Sequence, residues 1–473
     1  MNNKDRQLLR PIDVHCHFFN RKEVSVLMLI SIIRMVKNAE IILSGRNSSE
    51  SNNRKARQLS RNARSTLAFL MTSMKSPKRI FRKLNSYEKG FIFTPLMLDI
   101  HWLTQSPKDN EPYIRQTDVF STIHAELNNI SQAFQHIGGR RNASLEERRI
   151  AIEFRRITAS LHRLVSRKTF HDLPFINSSI DNFPQQEAQL TELASAQPDD
   201  ILPFFSVDPR RSSLFSVNNE GEYDISQLTR RLHINGGVFR GFKIYTPCGY
   251  SPTHPMLMTL YAYCEEHNVP VIAHVSGSGV TTLANQLYID GHIYIDGKLQ
   301  LVNGIWEFKN KNLFARDRIL EHSERLNHPM LWEYVLNHFP HLKIDLAHFG
   351  HLPHSLEWTN FIWRMMCRRN ADGSFAYPNL YTDFANIVDT SSLIQFHDRY
   401  FITEPQLQSR FLYGSDYYMN LVYLNDMDNY LEHFRQVFSP DELFRISVIN
   451  TRQFLNLPLP DSTVAVSPSF FNQ

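Results

Sequence analysis

The apolar positions of this chain fall into short β-rich runs separated by stretches of helical period. Eight runs stand out: 11–19 (PIDVHCHFF), 91–98 (FIFTPLML), 201–209 (ILPFFSVDP), 238–246 (VFRGFKIYT), 269–276 (VPVIAHVS), 342–350 (LKIDLAHFG), 379–386 (NLYTDFAN) and 410–418 (RFLYGSDYY). Between them, segments such as 254–268 and 328–339 carry apolar residues at helical spacing, each with a proline near its first turn. Strands that alternate with helices imply a mostly parallel sheet. Eight repeats predict an α/β fold, the closed (β/α)8 TIM barrel, spanning 1–473 as one unit.

Three connections exceed the usual ~2–6 residues of a βα loop and are read as functional insertions. The first, 20–90 after strand 1, is basic and partly helical. The second, 99–200 after strand 2, has helical stretches around 118–136 and 145–168. The third, 277–327 after strand 5, holds Asp296–Gly297 between alternating apolar residues, a hairpin signal.

Composition narrows the class. Of 473 residues 42% are apolar and 21% charged, which excludes disordered and collagen-like chains. The four cysteines (Cys16, Cys248, Cys264, Cys367) form no CxxC pair, so neither a disulfide framework nor a zinc ribbon is expected. The start of the chain lacks the apolar run of a signal peptide. The most apolar stretch, 24–36, contains Arg34 and falls short of the ~20 residues of a membrane span. A cytoplasmic protein without a membrane span is expected.

The net charge of +4 hides an asymmetry. Residues 1–90 hold nineteen Lys/Arg against six Asp/Glu, and the remainder thirty-two against forty-one. Within 41–90, twelve basic residues face only Glu50 and Glu88. Such density attracts polyanions, nucleic acid or an anionic membrane among them. No nucleic-acid motif accompanies it, so no nucleic-acid partner is expected. The reading preferred from sequence is a solvated, lid-like insertion that pairs with the acidic body.

The chemistry lies at the strand ends. His15 and His17 close strand 1, and side chains two apart in a strand share a face, so both imidazoles can approach one ion. An HxH alone carries little in a chain with 21 histidines. Lys243 closes strand 4, His274 strand 5, His348 strand 6 and Asp416 strand 8. In a barrel these ends converge on the face where active sites lie. Six ligand-competent side chains there suit a catalytic zinc or similar divalent ion. Singly, each has an ordinary reading: a core histidine, a salt-bridged lysine, or, for Asp416, a helix cap.

In these residues the chain resembles the amidohydrolase superfamily, in its amidohydrolase-related branch of metal-dependent barrel hydrolases and decarboxylases. The matching pieces are IDVHCHFF, TPLML, FFSVDPRR, GFKIYTPCGYSP, VIAHVSGSG, LKIDLAHFGH, FLYGSDYY and SVINTRQFLNL, in the family's order from 12 to 457. The resemblance implies that His15, His17 and Asp416 bind one metal and His274 and His348 a second. Lys243, once carboxylated by carbon dioxide, would bridge the two. In mononuclear relatives the set shrinks to HxH, one His and Asp, so one or two ions, with Zn2+ as first choice, remain open. The metal would lower the pKa of water toward ~7, and Asp416 would take the proton and deliver it to the leaving group.

Further candidates follow the same logic. Arg210 and Arg211 after strand 3 can grip a substrate carboxylate or pair structurally with Asp208. Tyr245 can donate to an oxyanion or pack at the mouth, and His351 can touch substrate. Cys248 has no base beside it, and Asp383 and Asn386 receive no assignment. The leading expectation is hydrolysis of a lactone, amide or ester-like small molecule by a chain that can form homodimers. A non-oxidative decarboxylase of an aromatic or unsaturated acid is the alternative. An inactive barrel that binds a polyanion is the reading from another class.

Overall fold

Each of the eight apolar runs contains a strand: β1 Ile12–Cys16, β2 Ile92–Pro95, β3 Phe204–Val207, β4 Gly241–Ile244, β5 Val271–His274, β6 Ile344–Ala347, β7 Leu380–Asp383 and β8 Phe411–Leu412. The computed structural model describes residues 10–19, 65, 68–69, 71–103, 116–139, 143, 145–166, 181–277, 279–282, 284–309, 316–350, 356–424 and 427–459. Strands β3 to β8 form one parallel sheet in chain order, and β1 pairs with β2. Parallel bridges Phe93–Ile201 and Leu96–Phe204 join β2 to β3, and Cys16–Tyr417 joins β1 to the end of β8. Val14 N–H also donates to Tyr413 O at 3.1 Å. The strands thus run 1 to 8 and return to 1, the circuit of a (β/α)8 barrel.

The alternation of each strand divides the core. Ile12, Val14, Ile92, Phe204, Ile272, Ala347, Tyr381 and Leu412 form a cluster inside the ring. Their strand neighbours, among them Phe205, Val207, Phe242, Ile244, Val271 and Leu346, belong to a larger cluster shared with the helices. Phe454 and Leu455 at the end of the chain's last described helix pack on the inner cluster, and Phe454 stacks on Phe204 at 6.4 Å.

The helices cover the outside. Those that matter here are α1 Pro77–Tyr87, α2 Gln116–Gly139, α3 Leu145–Val165, α4 Phe183–Ala196, α5 Pro255–Glu266, α6 Arg316–Asn327 and α7 Pro329–His338. Helices α5 and α7 begin alike: His254 and His328 accept the Met256 and Met330 N–H groups on Nδ1 at 3.2 and 3.1 Å, each followed by proline. Two of the chain's histidines are therefore caps. Between β5 and β6, the arms Gln286–Ile295 and Lys298–Glu307 form an antiparallel hairpin. Its turn residues Asp296 and Gly297 both take positive φ, +46° and +88°, as a type I′ turn requires. No helix among the described residues is long and apolar enough to cross a membrane.

Gly241 sits where β4 passes closest to its neighbours. A Cβ there would lie 2.0 Å from Pro270 O and 2.6 Å from the Phe204 ring. Gly241→Ala should cost about 1–3 kcal/mol or more through overpacking beside backbone. Urea unfolding checks this, and an unchanged midpoint contradicts the packing described.

Candidate metal centre

The pairing registers stack the strand ends in layers. Lys243 and Asp345 lie level with Ile272, and Asp345 is also opposite Tyr381. One layer higher, Ala347 pairs with His274. His15 and His17 arrive from β1, where the pairing shifts between Asp13 and Cys16. The Asp13 carboxylate accepts His15 N–H at 3.1 Å, Ser415 N–H at 3.0 Å and Ser415 Oγ at 2.6 Å. It thereby ties the HxH strand to the loop that carries Asp416. Asp416 N–H in turn donates to His15 O at 2.7 Å. Gly414 leaves no room for a side chain: a Cβ would sit 2.8 Å from the His15 Cβ.

His15, His17 and Asp416 come together, with one potential ligand atom from each within 4.8 Å of the others. Asp416 Oδ1 is 3.2 Å from His17 Nε2 and 3.7 Å from His15 Nε2. A second group, His15, His348 and Asp383, meets the same criterion, and the His15 and His348 rings are 4.8 Å apart. All these residues are buried. His348 and Asp416 hold left-handed backbone, φ +69° and +56°. Such conformations are costly for non-glycine residues and gather where a site imposes them.

The hydrogen bonds set the tautomers. His15 Nδ1 meets Asp383 Oδ2 at 2.6 Å, His17 Nδ1 meets Leu96 O at 3.1 Å, and His348 Nδ1 meets Ala385 O at 3.1 Å. Each partner is an acceptor, so in the neutral rings each Nδ1 carries the proton and each Nε2 keeps a lone pair. Burial, the Lys243 ammonium and His17 hold His15 well below the ordinary imidazole pKa. Burial first, and then the neighbouring His15, brings His348 down to about 3. With its Nδ1 directed at Asp383, His15 turns Nε2 toward the Asp416 carboxylate, on which His17 Nε2 also converges. Two imidazole nitrogens and a carboxylate oxygen converging in a buried site form a set that a cation can satisfy. The N/O donor set fits a divalent ion of the zinc type.

The other expected residues are placed as follows. His274 stands outside both ligand groups and meets His348 Nε2 through its Nδ1 at 3.0 Å. Lys243 is buried, and its Nζ has no hydrogen-bond partner among the described residues. Burial lowers it to about 8, while the carboxylates of Asp383, Asp345 and Asp416 favour its charge. Burial and the adjacent Asp383 raise Asp345 well above the usual carboxylate range.

The arginines expected to grip substrate are engaged by the protein. Arg210 makes a two-pronged pair with Asp208 at 2.8 and 2.6 Å and donates to Cys248 O at 3.0 Å. Arg211 makes one with Asp99 at 2.6 and 2.8 Å and reaches Asp181 at 2.6 Å. The Tyr245 hydroxyl donates to Val280 O and accepts Val280 N–H, both at 3.0 Å. It pins the loop after β5 beside His274, and burial pushes its pKa far up. His351 lies outside the described residues.

Asp383 at the end of β7 had no assigned role, yet it supports the whole arrangement. Its Oδ2 holds His15, and its Oδ1 accepts the His348 and Ala385 N–H groups at 2.8 and 3.1 Å. The signal available in sequence was its position: an acid closing a barrel strand, as Asp416 follows β8.

The model of the amidohydrolase family described as Amidohydro_2 matches residues 183–457, more than half of the chain. The chain is a member of the amidohydrolase family. The match begins at α4, so the HxH strand joins the family's region through the geometry given above. Comparison with curated protein sequences gives no match. Among solved structures, a 2,6-dihydroxybenzoate decarboxylase complexed with 2,6-dihydroxybenzoate is similar over 82% of this chain and 90% of that one, at 12% identity and a TM-score of 0.39. The 2,6-dihydroxybenzoate decarboxylase from Rhizobium is similar over 58% and 76%, at 16% identity and a TM-score of 0.34. A 5-carboxyvanillate decarboxylase from Sphingomonas paucimobilis is similar over 57% and 71%, at 11% identity and a TM-score of 0.35.

A carboxylate that orients a ligand histidine typically contributes about 10–100-fold to metal affinity. Asp383→Ala in this amidohydrolase should weaken binding of Zn2+ by that factor with the fold retained. Competition with a chromophoric chelator measures it. Unchanged affinity means that His15 does not depend on Asp383.

Proposed function

We propose that this member of the amidohydrolase family is a hydrolase that works with one divalent ion held by His15, His17 and Asp416, with His348 beside them. The observation that carries this is the set of imidazoles whose Nδ1 protons are fixed by Asp383, Leu96 O and Ala385 O, with the Nε2 of His15 and His17 aimed at Asp416. A bound divalent ion supplies Lewis acidity, acidifying water and polarising the scissile group. Asp416 turns Oδ1 toward both imidazoles, which leaves Oδ2 to take a proton from water and return it to the leaving group. Asp383 orients the His15 ring through its Nδ1. Tyr245 fixes the loop beside His274, so specificity comes from the loops around the mouth rather than from a free tyrosine. A lactone, amide or ester of a small molecule is the substrate class proposed.

The ligand groups favour one ion over two: both contain His15, and His274 stands outside them. Lys243 is buried with its Nζ unbonded among the described residues, and the carboxylates of Asp383, Asp345 and Asp416 favour its charge. Carboxylating Lys243 would add an anion beside them, which only a second divalent ion would offset.

The same observation supports a second reading. An ion that is not shared through a bridging lysine leaves positions for a substrate carboxylate, as a decarboxylase requires. There the bond from carbon to the carboxylate breaks, carbon dioxide leaves, and Asp416 returns a proton to carbon.

Asp416→Asn tests the common core. It should lower turnover by roughly a hundred- to ten-thousandfold while the zinc-loaded protein remains folded. Near-wild-type turnover contradicts the role given to Asp416. A panel of lactones, amides and aromatic acids, read both by hydrolysis and by carbon dioxide release, separates the two reactions.

A further inference from the structure

Among the described residues, no salt bridge joins helix α1 to the acidic body. That helix buries Pro77, Ile80, Phe81 and Leu84, and Phe81 and Leu193 of α4 line one shared cleft. Its opposite face carries Lys78, Arg79, Arg82 and Lys83, all exposed. None of the four forms a salt bridge among the described residues. Lys83 lies 4.1 Å over the Tyr87 ring. Glu192 of α4 lines the cleft beside Lys78 and Arg82, and Glu88 after the end of α1 is buried. Four cations within six residues, none of them ion-paired among the described residues, repel one another. Such a face is complementary to an extended anionic surface.

We propose that this face of α1 docks the protein on an anionic phospholipid membrane. Two features select a membrane over nucleic acid. The insertion that contains α1 also contains, by sequence, the apolar run 24–36 with Arg34 as its single charge. An apolar stretch together with a polybasic segment is the two-part composition that peripheral membrane attachment uses. The exposed face of α1, by contrast, offers cations without amide side chains or unengaged aromatics to read or stack bases. The docking helix lies on the outer wall of the barrel, beside α4.

The full chain, sedimented with vesicles, tests this. Binding is expected to vesicles of equal parts phosphatidylcholine and phosphatidylglycerol, to be absent with phosphatidylcholine alone, and to fall as salt is raised. The variant K78E/R79E/R82E/K83E should bind the anionic vesicles at least about tenfold less. The variant K78Q/R79Q/R82Q/K83Q, which keeps helix-forming residues at every position, should lose binding in the same direction with an unchanged melting temperature. Absence of binding to the anionic vesicles overturns the proposal, as does equal binding to neutral ones or full retention in the glutamine variant. Tight, salt-sensitive binding of duplex DNA with no vesicle binding overturns it in favour of a nucleic-acid partner.

Discussion

The arrangement depends on the hydrogen bond from His15 Nδ1 to Asp383 Oδ2, at 2.6 Å in the buried mouth of the barrel. It fixes the proton on one side of the ring and leaves the lone pair on the other, opposite Asp416. His17 reaches the same state through a main-chain carbonyl, that of Leu96. Two imidazole nitrogens converging on a buried carboxylate form a set that a divalent cation can satisfy. The left-handed backbone of His348 and Asp416 and the missing side chain at Gly414 follow from bringing these groups so close.

Support for this geometry comes from two depths of the barrel. On the strand flank, Asp13 binds His15 N–H, Ser415 N–H and Ser415 Oγ, so strand 1 and the β8 loop move as one piece. One layer below the histidines, Lys243 lies among carboxylates with its Nζ unbonded. The Asp383, Asp345 and Asp416 carboxylates favour its charge, and that charge, after burial, helps hold His15 below the ordinary imidazole pKa. Catalytic geometry and barrel packing are in this sense one construction. The inner apolar cluster fills the lower ring and the polar groups its upper layers.

The strand ends were legible because a period of two marks each strand and a barrel brings all C-terminal ends together. HxH, His348 and Asp416 could be read in this way. Asp383 could not, because its partner His15 is 368 residues away and an acid after LYT resembles any strand-end cap. The proton positions were equally hidden, since two of the three anchors are carbonyls of Leu96 and Ala385 and carry no side-chain signature. Arg210 and Arg211 looked available because Asp99 and Asp181, two of the three acids that engage them, lie in the long insertion between β2 and β3. His274 was legible by position as well, and its Nδ1 meets His348 Nε2 at 3.0 Å.

The most direct measurement is the metal content of protein purified without a histidine tag, by elemental analysis, for the wild type and for Lys243→Ala. The account predicts about one divalent ion per chain in the wild type and no loss of stoichiometry in the variant. Two ions per chain that fall sharply in Lys243→Ala would contradict it and establish a centre bridged by a carboxylated lysine.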